Sequence, residues 1–215
     1  SYQKVYPEII DQPNNILNLD SKPIAVAINN DSNWDEFVDF VDSKDFSWYN
    51  DNVANELHIY NVDYLAVYDV KGNFIVHTPS SKMKSKDFIP KKAMMQLKEN
   101  GLSKFYLKLP EGIVEVFGAS IHPSHDFLKN RTTSKGFFFV VRLIDSSFLK
   151  NLETLTNSKI DLIASHVNLE EEDNYITSTI PLQSFDGKTI SKLHFKRFTP
   201  VYFEKLISLL FFIII

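Results

Sequence analysis

Apolar positions near the start of the chain recur with a helical period. Trp34, Phe37, Val38 and Val41 stand at i, i+3, i+4 and i+7, one face of an amphipathic helix, with Asp35, Glu36, Asp39 and Asp42 opposite. Upstream, helical patches are interrupted by Pro7, Pro13 and Pro23. Ser21-Lys22-Pro23 reads as a helix start, because a proline in the first turn lacks only an N–H that would go unbonded there.

The period then shortens to that of strands. Residues 62–69 are rich in β-formers, Lys71-Gly72-Asn73 makes a turn, and 74–77 returns as the second strand of a hairpin. A polar lysine- and serine-rich loop follows, and Pro90 opens a helix over 91–99 that Asn100-Gly101 stops. Strands over 104–109 and 112–122 turn at Pro110-Glu111-Gly112. The run 136–144 is apolar on both faces, which marks a central strand. Asp145-Ser146 caps a helix over 147–156, a strand over 160–164 follows, and 175–181 with 189–196 make a last hairpin. Short turns between neighbours predict an antiparallel α+β domain with a meandering sheet. The acidic run over 170–173 reads as a solvated loop.

The tail changes the picture. From Leu206 to Ile215 only Ser208 interrupts an apolar run, and Tyr202, Phe203, Glu204 and Lys205 precede it like an interfacial collar. A membrane span needs roughly 20 such residues and this run holds about half. The pattern has no polar face, so it is expected to be the start of a truncated transmembrane helix over 201–215; a C-terminal core helix or strand is the alternative. The first residues carry no apolar signal segment, so the chain is expected to begin after an upstream anchor or a removed signal.

Composition narrows the function classes. The chain has 215 residues, 44% of them hydrophobic, which suits a packed core and excludes a disordered linker. A net charge of -4 and no basic stripe argue against nucleic acid. With no cysteine there is no disulfide, thiolate metal site or cysteine nucleophile. Neither a Gly-x-Ser-x-Gly turn nor a glycine-rich phosphate loop occurs. His122 and His125, with Asp126, lack a third partner at metal-binding spacing and read as loop residues, so no metal and no cofactor is expected.

Several motifs together resemble a known family. Trp34-Asp35-Glu36-Phe37 with Phe40-Val41, Asn52, and Leu65-Ala66-Val67-Tyr68-Asp69 with Gly72 are similar to the fourth class of CHASE domains. Gly136 with Arg142-Leu143, Asp145, Leu149 and Leu152 resembles that family's later block. The chain departs from the pattern at Asn30, Asp31 and Ser32, where the family has an Asp–aromatic–Ala triplet. The resemblance implies a PAS/Cache-like antiparallel sheet flanked by helices, an extracytoplasmic sensor between two spans of a bacterial receptor. Such receptors carry histidine kinase, diguanylate cyclase, phosphodiesterase or chemoreceptor outputs. It also implies homodimerisation through the N-terminal helices and a place in the inner membrane, with the domain outside.

The expected division is a helical segment over 1–61, a sensor core over 62–200 and a transmembrane start over 201–215. For a ligand, Arg142 is the first candidate, since a guanidinium in an apolar strand needs a carboxylate, solvent or a small anion to grip. An internal pair with an acid such as Glu115 is the alternative. Alternation places Tyr64 and Tyr68 on one face, where they can line a pocket, and Ser120 with His122 on one face of the long strand. Trp34, matching the family motif, either touches ligand or docks its helix. The expected function is therefore signal sensing rather than catalysis, with a small molecule and the membrane as partners. A membrane-tethered enzyme or an adhesion module of the cell envelope is the competing reading.

Overall fold

Alternation along each strand assigns its side chains to one or the other face of its sheet. The computed structural model describes residues 7–199 apart from 170, 171 and 173, so the apolar tail over 201–215 and most of the acidic run lie outside the described residues. Among the described residues, no helix is long and apolar enough to cross a membrane.

The chain enters as α1 (Pro7–Asp31), a single helix of 25 residues with Pro13 and Pro23 inside it. This corrects the helix start expected at Ser21-Lys22-Pro23. An interior proline costs about 3 kcal/mol in isolation. Burial of Leu17, Ile24 and Ile28 against the rest of the molecule holds the helix together across it. Three further helices follow: α2 (Asp35–Ser43), α3 (Phe46–Asn52) and α4 (Glu56–Ile59). Asp45 caps α3 by accepting from the Ser47 and Trp48 N–H groups.

A five-stranded antiparallel sheet comes next. It contains β1 (Tyr64–Asp69), β2 (Phe74–Pro79), then, beyond helix α5 (Lys91–Asn100), β3 (Leu102–Leu109), β4 (Gly112–Ile121) and β5 (Gly136–Leu143), in the order β2-β1-β5-β4-β3. The all-apolar β5 is central, as its pattern requires. In the β1–β2 turn Gly72 has φ 75°, and the Asp69 carboxylate accepts from the Lys71 and Asn73 N–H groups at 2.8 Å.

The chain does not continue one meander. Strands β1 and β4 already flank β5, which leaves it no free edge, and helix α6 (Ser146–Thr156) carries the chain away. A separate three-stranded sheet then forms from β6 (Lys159–Ala164), β7 (Tyr175–Gln183) and β8 (Thr189–Phe198), in the order β6-β8-β7.

Each face of the large sheet has its own core. On one, Leu65, Val67, Phe117, Ala119, Ile121, Phe138 and Val140 pack under α1 to α4 against Phe37, Phe40 and Tyr49. Phe37 meets Phe138 edge-on at 5.2 Å, and Phe40 stacks on Tyr49 at 5.4 Å. On the other face, Tyr64, Ala66, Tyr68, Val116, Phe137, Phe139 and Val141 are covered by Met83, Ile89 and the Ala93, Met94 and Leu97 side of α5. A third core joins Leu17 of α1 and Leu152 of α6 to Ile160, Leu182, Leu193 and Phe195 of the small sheet.

Two features link the parts. The β7–β8 hairpin reaches up to the α5 side of the large sheet, where Phe185 packs edge-on against Phe105 at 5.9 Å. At the opposite pole Pro13 of α1 lies with Thr156, Ile176 and Arg197, so the start of α1 and the end of β8 sit together.

Candidate functional site

Strand register arranges the α5-covered face in rows. One row runs Phe74, Tyr68, Phe137, Ser120; the next runs His77, Ala66, Phe139, Gly118, Ser103; a third runs Pro79, Tyr64, Val141, Val116, Phe105. The middle row is small at Ala66 and Gly118, which lets α5 approach closely. A Cβ on Gly118 would stand 2.9 Å from Leu97 and 2.7 Å from Phe139.

This apolar face carries polar atoms with poor partners. Among the described residues, the Tyr68 hydroxyl, His77 Nδ1 and Ser103 Oγ are all buried without a well-shaped hydrogen bond. Tyr68 lies beside the Asp87 carboxylate and the Ile89 backbone, and burial holds its phenol protonated far above the usual range. Burial likewise pushes Tyr64 up to about 12, and its hydroxyl accepts weakly from the Asp87 N–H at 3.3 Å. Burial, with Lys86 nearby, lowers His77, which keeps it neutral; its ring packs edge-on to Tyr64 at 5.3 Å. Met83 and Met94 fill the space above, and methionines are the side chains best able to repack around an incoming group.

The other residues singled out in the sequence sit elsewhere. Arg142 projects to the opposite side of β5. Its Nη2 meets Glu115 at 2.6 Å and its Nη1 meets Asp20 of α1 at 2.7 Å, while its guanidinium lies 4.6 Å from the Phe148 ring centre. The internal pair with Glu115 is thus present, and it occupies the fork that would grip an anion. Glu115 is wholly buried; it also pairs with Lys104 at 2.9 Å and accepts from Ser21 and Tyr106. Despite burial, the two cations hold its carboxyl below the usual range. Trp34 is the N-cap position of α2, half-exposed at the turn after α1.

Ser120 and His122 belong to a network at the end of β4. His122 Nε2 lies 3.0 Å from Ser120 Oγ, and its Nδ1 lies 3.1 Å from Asp126. The connectivity is that of a serine–histidine–aspartate relay, but all three side chains are buried and the serine hydroxyl donates to the Gly101 carbonyl. Asp126 organises the loop by accepting from the Asn130, Arg131 and Thr132 N–H groups. Among the described residues no three His, Cys, Asp or Glu side chains converge to hold a metal.

Lys129, which the sequence did not flag, locks this loop to the end of α1. Its buried amine donates to Ser32 Oγ, Asn33 Oδ1 and the Ser120 carbonyl at 2.7–2.9 Å. Burial lowers it to about 8. The free lysine titrates near 10.4, so unfolding takes up a proton in between, and stability is expected to rise by about 1–2 kcal/mol from about pH 7 to about pH 9.5. Urea denaturation at the two pH values checks this; Lys129→Met should abolish the rise, and an unchanged rise would refute the assignment.

Tyr64, Tyr68, His77 and Ser103 therefore share one covered face with Ser120 at its margin, while Arg142 and Trp34 stand apart. Alternation brought the two tyrosines together; His77 was findable from the hairpin register, which sets it opposite Ala66.

Comparison with known proteins bears on the fold. The periplasmic domain of Vibrio cholerae LuxQ is similar at a TM-score of 0.60 with 9% identity, covering 89% of this chain and 99% of that one. A second crystal structure of that domain gives a TM-score of 0.42 at 11% identity, over 89% and 94% of the two chains. No curated protein matches. The CHASE4 domain model matches residues 16–163, which takes in α1 through most of β6. With its motifs, its helix-flanked antiparallel sheet and that match over most of its length, the chain belongs to the CHASE4 domain family and is an extracytoplasmic sensory domain of a membrane receptor.

Proposed function

We propose that this domain senses a small molecule bound beneath α5, on the face carrying Tyr64, Tyr68 and His77. The observation that carries the reading is the set of buried polar atoms there, Tyr68 Oη, His77 Nδ1 and Ser103 Oγ, which lack good partners among the described residues. A buried polar group without a partner costs about 1–3 kcal/mol, and a ligand supplying hydrogen bonds recovers that. Asp87 adds an acceptor and Lys86 a donor at the rim, so a neutral or zwitterionic polar ligand fits the face best. Ligand entry displaces Met83 and Met94 and moves α5. Because Phe185 rests on Phe105 in the same core, the shift reaches the β7–β8 hairpin and the pole where β8 ends.

The same reading places 1–61 as the entering helical part, 62–200 as the sensing core and 201–215 as the start of an inner-membrane span leading to a cytoplasmic output. The close placement of the α1 start and the β8 end supports two neighbouring anchors. Leu19 and Val26, one heptad apart on α1, are 65% and 52% exposed, which supports α1-to-α1 pairing in a homodimer.

Thermal-shift screening of small amines, amino acids and polyols tests the site. Tyr68→Phe should leave the unliganded melting temperature within a few degrees, because it deletes a poorly bonded hydroxyl. A compound that stabilises the native protein should lose most of its effect in Tyr68→Phe and in His77→Ala. Equal stabilisation of all three proteins would place the ligand elsewhere.

A further inference from the structure

The C-terminal end of α1 is held on two sides. On one, Ser32 and Asn33 receive the Lys129 amine. On the other, Asp31, the last residue of α1, faces α4. There the Tyr60 hydroxyl donates to Asp31 Oδ2 at 3.0 Å, and Asp31 is only 9% exposed. The Glu56 carboxylate stands beside the same hydroxyl, and among the described residues its buried Oε2 has no other well-shaped hydrogen bond.

Hydrogen counting makes this group unusual. A tyrosine has one proton to donate, and two carboxylates compete for it. The charged group acting on Asp31 from α4 is Glu56, another anion; on α1 itself Lys22 lines the same groove further along the helix. Lys129, His122 and Asp126 belong to the loop on the far side, where they bond to Ser32, Asn33, Ser120 and Thr132. A second proton, on Asp31, would give the set a second donor and remove the repulsion between the two acids.

We propose that Asp31, Glu56 and Tyr60 form a proton-operated clasp between α1 and α4, closed when Asp31 is protonated and loosened when it ionises, so that external acidity is a signal this domain reads. Burial first, and the Glu56 charge second, push Asp31 up to about 6. A carboxyl whose folded value is raised binds a proton on closing. The clasp is therefore tightest in acid and weakens as pH rises from about 4 through about 6. Loosening frees the end of α1, the helix whose other end lies at the pole where β8 finishes. The clasp's use as a signal rests on the sensor reading, but its existence does not, since it stands apart from the face under α5.

Amide hydrogen exchange of the 215-residue chain tests it. After intrinsic exchange rates are divided out, protection of α4 and of the last turn of α1 should fall three- to tenfold from about pH 5 to about pH 7.5, the upper value from proton linkage and the lower from solvent screening. Asp31→Asn, which mimics the protonated acid, should keep high protection at both pH values. Glu56→Gln, which removes the competing charge, should shrink the fall without abolishing it, because burial still raises Asp31. PH-independent protection of α4 in the native chain, or an undiminished pH response in Asp31→Asn, would overturn the proposal. Neither result depends on whether Tyr68→Phe alters ligand binding, so the two readings fail separately.

Discussion

Replacing Glu115 by alanine is expected to destabilise the domain by about 3–5 kcal/mol, because removing one member of a buried ion cluster leaves the others uncompensated. Glu115 is the common partner of Arg142 and Lys104, and it also takes hydrogen bonds from Ser21 and Tyr106. Asp20 still meets Arg142 in the variant, but Lys104 loses its carboxylate and keeps the Ser21 hydroxyl and two aromatic rings. For a chain of this size the melting temperature should fall by about 10 °C. Acid acts on the same group. The Glu115 carboxyl is held below its usual range, so its contribution is fully present above the unfolded value near 4.3 and is lost as pH falls through the lower folded value. The native protein should accordingly show a loss of stability in strong acid that Glu115→Gln lacks. A variant that melts within two or three degrees of the native protein would mean that the cluster contributes little; calorimetry at neutral pH decides it.

The second large effect is expected at Gly136. This residue opens β5 opposite Asp69 of β1, with α2 passing over it. A Cβ there would stand 2.6 Å from the Tyr68 carbonyl oxygen and 3.2 Å from Val41. The first contact is with backbone, so the cost is relieved only by parting β1 from β5 or by lifting α2. Gly136→Ala is expected to cost about 3 kcal/mol, the upper part of the overpacking range. Gly187 is the control: it turns the β7–β8 hairpin at φ 80°, and a Cβ would meet nothing within 4 Å among the described residues. Gly187→Ala should cost only about 1 kcal/mol of backbone strain. Chemical denaturation of both variants tests the contrast, and equal losses would contradict the close approach at Gly136.

The strands were legible because their side chains face two ways with a fixed period. The apolar run around Phe137 and Phe139 announced a strand covered on both faces, and it is the centre of the large sheet. The hairpin at Gly72 and the helix after Asp145 were legible from turn and cap chemistry. Helix α1 was not, because Pro13 and Pro23 carry a strong local penalty and the burial of Leu17, Ile24 and Ile28 that outweighs it depends on residues far along the chain. The separate small sheet escaped notice for a similar reason: pattern identifies a strand without naming its partner.

The site divides along the same line. Alternation set Tyr64 with Tyr68 and Ser120 with His122. Of the neighbours that decide what each can do, the sequence reading named only Glu115, which does pair with Arg142. Arg142 is also engaged by Asp20, which lies over a hundred positions earlier, and Lys129 is held by Ser32 and Asn33 of the turn after α1. The Asp31–Tyr60 contact likewise joins residues that no local pattern relates.

The strand order also constrains how the chain can fold as it is made. Strand β1 is paired on one side by β2, close behind it, but on the other by β5, with Tyr64 opposite Val141. The large sheet therefore stays open, with a β-rich edge unpaired, until synthesis has passed the end of β5. Such distant pairing slows folding and exposes apolar edges meanwhile. The β1–β2 hairpin thus gains its second partner only once about sixty further residues are in place, so the large sheet closes late and from its centre.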